Sequence, residues 1–140
     1  MAVCQDFVAA FDAATGSTIE VTFLADGTTL AHEICLAAYD AANGWVDYRN
    51  RVSTPALSNA GTGASDDPLT ATVTLTSPIN SGTRYAACIA PNQYLQMKLT
   101  SSPSSIDGRS SKFVAWVNPG PQVDRDTDSR IKIAVVAPGD

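Results

Sequence analysis

Positive charge is scarce in this chain and nowhere clustered: nine Lys and Arg stand against fourteen Asp and Glu, for a formal charge of −5. Nucleic-acid binding draws on grouped cations that displace counterions. No run here supplies them, so nucleic acid is set aside as a partner. Charged residues of both signs make up 16% of the sequence, against about a quarter in typical domains. Ser, Thr, Asn, Gln and Gly carry the polarity instead. No apolar run approaches the roughly 18 residues of a membrane span, so no membrane is expected as a partner either. Positions 1–6, Met-Ala-Val-Cys-Gln-Asp, have neither the positive start nor the apolar core of a signal peptide. The expectation is synthesis in the cytoplasm, or a mature form carrying an added Met.

Chemistry-bearing residues are equally thin. His32 is the only histidine, so any Ser-His-Asp or Cys-His arrangement must use it, and no nucleophile elbow accompanies it. The sequence around it predicts an exposed strand or helix histidine. His32-Glu33-Ile34-Cys35 offers two metal ligands where a structural zinc needs four. There is no phosphate loop, no dinucleotide fingerprint and no pair of catalytic carboxylates; neither enzymatic activity nor a cofactor is expected. Three cysteines, Cys4, Cys35 and Cys88, are too few and too far apart for the disulfide framework of a small secreted domain. They are read as buried free thiols, with a Cys35–Cys88 bridge as the alternative.

What the chain has is alternation. In residues 69–76 Leu69, Ala71, Val73 and Leu75 alternate with four threonines, the period-two pattern of a half-buried strand. Ser77-Pro78-Ile79-Asn80-Ser81-Gly82 supplies turn chemistry. Residues 84–90 form a second strand, stopped by Pro91-Asn92. Residues 18–25 alternate with Ile19, Val21 and Phe23 inward and end at the turn signal Asp26-Gly27. Residues 3–11 fit a helix through Val3, Phe7 and Phe11 and a strand through Phe7, Ala9 and Phe11.

Residues 30–42 carry an apolar stripe with helical spacing, and Thr28 or Thr29 stands where a cap belongs. Asn43-Gly44 argues instead for a two-residue hairpin joining residues 32–42 to 45–52. That register places Tyr39 opposite Tyr48, Cys35 opposite Val52, and Asp40 unfavourably opposite Asp47. The hairpin is the preferred reading. Residues 53–68 have no period and read as a loop, functional or laid as an arm on something else. Residues 94–100 alternate again, 101–111 form a second long polar loop, and 113–117 an aromatic strand. An acidic turn, 124–128, precedes a last strand with Ile131, Ile133 and Val135 inward.

The fold class predicted is mainly β, with 1–140 a single sandwich domain or small barrel of about seven to eight strands and at most one short helix. Within residues 69–91, Val73-Thr74-Leu75 followed by Ser81-Gly82-Thr83-Arg84-Tyr85-Ala86-Ala87-Cys88-Ile89-Ala90 resembles fibronectin type III and related immunoglobulin-like modules. In those modules a Tyr after the turn packs back on the preceding loop. The resemblance implies sandwich architecture and no activity.

Two binding readings remain. Asp124, Asp126 and Asp128 alternate as carboxylates do in calcium loops, but Ser129 and Val135 stand where the calcium hand needs Gly and Glu. A solvated acidic turn is the default, and an irregular site shared with Asp66 and Asp67 the alternative. Trp45, Tyr48, Tyr94 and Trp116 are expected in the core or at an interface, or else as a platform for a sugar. Together these features lead to the expectation of a non-enzymatic assembly protein. The concrete form is a virion component, such as a phage capsid decoration or head–tail protein, built in the host cytoplasm. Its partners are expected to be copies of itself and other structural proteins, met through the N-terminal segment, the 53–68 and 101–111 loops and the C-terminal tail. The alternative is an extracellular carbohydrate or host-surface binding module, assisted by calcium.

Overall fold

A computed structural model describes residues 2–90, 96–97, 99–100, 113–117, 123–125, 130–131 and 133–138. The chain forms β1 (Ala2–Val8), β2 (Thr18–Asp26), β3 (Glu33–Asp40), β4 (Trp45–Arg51), β5 (Ala56–Leu57), β6 (Asp67–Thr74) and β7 (Arg84–Ala90). It continues with β8 (Gln96–Met97), β9 (Leu99–Thr100), β10 (Phe113–Val117), β11 (Val123–Arg125), β12 (Arg130–Ile131) and β13 (Ile133–Val136). No helix occurs among the described residues. Among the described residues thirteen strand segments replace the seven or eight expected strands, partly because β8 and β9, and likewise β12 and β13, are neighbours in sequence that join different sheets.

The larger sheet runs β11-β10-β1-β7-β3-β4, with β5 also on β3; the smaller runs β13-β2-β6, with β8 on β2; β9 and β12 form a separate pair. Among the described residues every ladder is antiparallel. The two main sheets pack as a sandwich and do not close into a barrel. Alternation puts Ile19, Val21 and Phe23 of β2 opposite Val73, Ala71 and Leu69 of β6. These side chains meet Val3 and Phe7 of β1, Ile34 and Leu36 of β3, and Ala87 and Ile89 of β7 in one buried cluster. Each large aliphatic buried there contributes about 1.5–3 kcal/mol. On the outward side of the smaller sheet the threonines pair instead, with Thr22 and Thr70 hydroxyls 2.8 Å apart.

The 30–52 stretch is a hairpin, as read, but not in the expected register. Asp40 lies opposite Trp45, Tyr39 opposite Val46 and Ala38 opposite Asp47, and the ladder slips before Ala37 meets Arg51. The turn therefore spans four residues, 41–44. This removes the Asp40–Asp47 repulsion and turns Asp40 into a cap. Its carboxylate accepts from the Asn43 N–H at 3.1 Å and from Asn43 Nδ2 at 2.7 Å, and its carbonyl accepts from the Gly44 N–H at 2.7 Å.

The 53–68 stretch lies on its own protein rather than reaching away. The Val52 N–H donates to the Leu36 carbonyl at 3.0 Å, and the Thr54 N–H donates across to Thr74 at 2.9 Å. Ala56 and Leu57 return to β3, while the Asn59 N–H donates to Thr70 at 3.2 Å. The segment thus ties first one sheet and then the other, and it covers the outer edge of β6. Farther on, the N–H groups of Gly61 and Gly63 donate to the carbonyls of Leu30 and Thr28 at 3.1 and 2.8 Å. A Cβ at position 61 would stand 2.3 Å from the Thr28 carbonyl oxygen, so only glycine allows this approach.

Candidate functional site

Two clusters gather the polar and reactive side chains. The first lies where the 53–68 seam meets the lead into β3. The His32 ring is 2% exposed, with Nε2 2.9 Å from Thr28 Oγ1. The His32 main-chain N–H donates to Ser58 Oγ at 3.0 Å, and the Ser58 N–H donates to the His32 carbonyl at 2.8 Å. His32 is therefore a core residue, against the exposed position expected of it. Lone polar residues between turn signals read as surface; here the seam covers the site. Thr28 caps no helix. Its hydroxyl accepts the Leu30 N–H at 3.2 Å and so shapes a local turn.

The second cluster is the face of the larger sheet that points away from the smaller one. Ala2, Cys4, Cys35, Ala37, Ala86 and Cys88 are buried together there with Val46. Cys4 and Cys88 are joined by a disulfide, with Cα atoms 4.1 Å apart, and Cys35 is a buried free thiol. The reading of buried free thiols holds for Cys35 alone; one bridge exists, and it joins Cys88 to Cys4, not to Cys35. The hydrogen-bond parity of the ladder gives the reason. Ala9 exchanges main-chain bonds with Thr83 and Gly82, so alternate residues back to Val3 face β7 and Cys4 faces away. Cys4 and Cys88 are thus a non-hydrogen-bonded pair, the narrow kind in which side chains stand closest.

Asp6 occupies the same face, 2% exposed, in an ion pair with Arg84 whose Oδ2–Nε distance is 3.0 Å. Asp6 Oδ1 also accepts from Gln5 Nε2 at 3.1 Å. The Arg84 guanidinium lies 4.3 Å from the Tyr39 ring centroid. Sequence reading missed this trio. Its signal is a lone carboxylate in the otherwise uncharged run 2–11, which needs a cation once buried.

The candidate residues named above are dispersed. Tyr48 is half-buried against the cysteine-bearing face, with Arg51 stacked 4.9 Å from its ring centroid. Burial, then the neighbouring Cys35, pushes its hydroxyl above the usual phenol range, and Arg51 opposes both. Burial likewise pushes the Cys35 thiol up to about 11, with Arg51 pulling down and Glu33 adding to the rise. Trp45 opens β4 opposite Asp40, and Trp116 lies on β10 opposite Val123. Three strands separate those two, so a platform using both spans about 19 Å at the usual strand spacing. Tyr94 lies outside the described residues.

Asp66 has φ 55° and its N–H donates to Asp26 Oδ1 at 2.8 Å. Asp67 is buried and accepts the Thr62 N–H; both serve the seam. Asp124 sits on β11 opposite Val114, so the acidic stretch begins as strand rather than as turn. Asp126, Asp128 and the 101–111 loop lie outside the described residues. No group of three potential metal ligands occurs among the described residues. Comparison with protein families, curated proteins and solved structures finds no significant match to this chain.

Proposed function

We propose that this chain is a structural assembly protein that works by surface contact, most concretely a virion component of the capsid-decoration or head–tail kind, acting as a homo-oligomer. The observation that carries the reading is how its surface and interior divide their residues. His32, Asp6, Asp67, Ser53 and Ser58 are all buried and bound into the fold. Leu57 and Leu30, by contrast, are 71% and 59% exposed along the hydrogen-bonded 53–68 seam and the segment it holds. Exposed aliphatics on a fixed backbone suit association with neighbouring copies at little entropic cost. The N-terminal segment, one of the expected contact elements, lies paired between β7 and β10, so the seam takes its place as the leading contact.

Two further features support parts of the reading. The Tyr85 hydroxyl accepts the Asn80 N–H at 2.8 Å, as a tyrosine corner does, and the pairs β2–β6 and β3–β7 lie in opposing sheets, as B–E and C–F do in immunoglobulin-like sandwiches. Both support that kinship of architecture. The Cys4–Cys88 bridge suits a protein that ends outside a reducing cytoplasm, as a released virion does.

Light scattering on the native protein, with and without EDTA, tests the proposal. A defined oligomer that Leu57→Glu or Leu30→Glu drives to lower mass is the expected result. A monomer at every concentration, unchanged by either variant, would overturn it. Glycan binding lost in Trp45→Ala or Trp116→Ala would then point to a carbohydrate-binding module, and mass or stability lost in EDTA to a calcium site at Asp124, Asp126 and Asp128.

A further inference from the structure

Cys88 faces a cysteine on each side. Cys4 is its register partner on β1 and Cys35 its register partner on β3, and all three side chains lie in one buried cluster on one face. The Cys35 pair is the hydrogen-bonded kind. The Leu36 carbonyl and N–H are taken by the Val52 N–H and Ser53 Oγ, on the side away from β7, so those of its neighbour Cys35 face β7. Such pairs have Cα atoms about 5.5 Å apart, inside the range that disulfides bridge. The geometry points to an internal thiol–disulfide exchange in which Cys35 replaces Cys4 as the partner of Cys88.

The step needs no oxidant. Cys35 Sγ loses its proton and attacks Cys88 Sγ; the Cys35–Cys88 bond forms as the Cys88–Cys4 bond breaks. The electron pair leaves on Cys4 Sγ, which takes up a proton. Displacement at sulfur runs in line, and the three cysteines stand in one row across adjacent strands. One disulfide is present before and after. What changes is which strands it joins: the tie moves from β1–β7 to β7–β3, and the N-terminal strand loses its cross-link to β7 while the centre of the sheet stays cross-linked.

The groups facing Cys35 set the pace. Arg51 and Tyr48 approach from β4, Glu33 from its own strand, and Cys88 from β7. With the thiol held at about 11, roughly one molecule in 10⁴ carries the thiolate at pH 7, some 300-fold fewer than for an exposed cysteine. Exchange is therefore slow near neutrality and accelerates about tenfold per pH unit toward pH 10.

The test is disulfide mapping of the full chain by peptic digestion in acid and mass spectrometry. Wild-type protein held at pH 8, 9 and 10 is expected to gain a Cys35–Cys88 peptide at rates rising about tenfold per step and independent of protein concentration. Cys35→Ser should gain none. Cys4→Ser, oxidised with glutathione disulfide, should close Cys35–Cys88, whereas Cys88→Ser should keep Cys4 and Cys35 unlinked. Wild-type protein that retains only Cys4–Cys88 through pH 10 would overturn the inference, as would folded Cys4→Ser yielding only free thiols or glutathione adducts. If Cys4→Ser does not fold, the wild-type series alone decides.

Discussion

The two faces of the larger sheet are carried by the same strands and built on opposite principles. Inward, β1, β3 and β7 present Val3, Phe7, Ile34, Leu36 and Ile89, which fill space against Phe23, Leu69 and Val73 of the smaller sheet. Outward, the same strands present alanine and cysteine at the centre, with Asp6, Arg84 and Tyr39 beside them. The inner face is held by volume, which is non-directional and grows with each methylene buried. The outer face has small side chains with little volume to offer. It is held by particular bonds: a disulfide, an ion pair and a guanidinium on a ring. A sheet covered on both faces can thus be stabilised by bulk on one side and by specific chemistry on the other.

This contrast can be broken at graded cost. Ile34→Ala removes a fully buried inner side chain, and it should destabilise by about 4 kcal/mol through lost transfer energy and the cavity left behind. Urea unfolding reads the loss, and a cost under about 1 kcal/mol would show that volume does not hold the inner face. On the outer face, Asp6→Ala leaves the Arg84 cation without its buried partner and should cost about 2–3 kcal/mol. The double change Asp6→Leu with Arg84→Met should regain most of that, since the penalty lies in the uncompensated charge; no recovery would mean that the pair contributes through packing. The smallest effect sits at the rim of the core. Tyr85→Phe keeps the ring and removes only the acceptor for the Asn80 N–H, which should cost about 1 kcal/mol in thermal unfolding.

How much of this was legible depended on whether a strand is buried on one side or two. β2 and β6 are half-buried, so their apolar and polar residues alternate and the inward residues read for both are buried in the structure, although β6 starts and ends two residues earlier than the 69–76 reading. β1 is buried along nearly its whole length, and a strand hidden on both faces has no alternation to show. The segment 3–11 therefore read equally as helix or strand. Tertiary partners were the least legible. The hairpin register turned on whether Asp40 meets Asp47 or caps its own turn, a choice between two local bonds that a turn motif does not settle. The cysteine pairing turned on ladder parity, which exists only once β1 has been placed beside β7. The burial of His32 likewise turned on the 53–68 segment folding back over it.

The position of β1 also bears on how the protein is made. Cys4 is synthesised 84 residues before the cysteine it joins, and β1 is flanked by two later strands, β7 and β10. At the roughly 5–20 residues per second of translation, the wait for Cys88 alone is about 4–17 s. Throughout that interval Val3 and Phe7 have no sheet to join and Cys4 has no native partner, while most local hairpins close in microseconds. β1 waits for partners made long after it, so the nascent chain carries an unpaired apolar segment that a chaperone, or the matching segment of a neighbouring nascent chain, is free to capture.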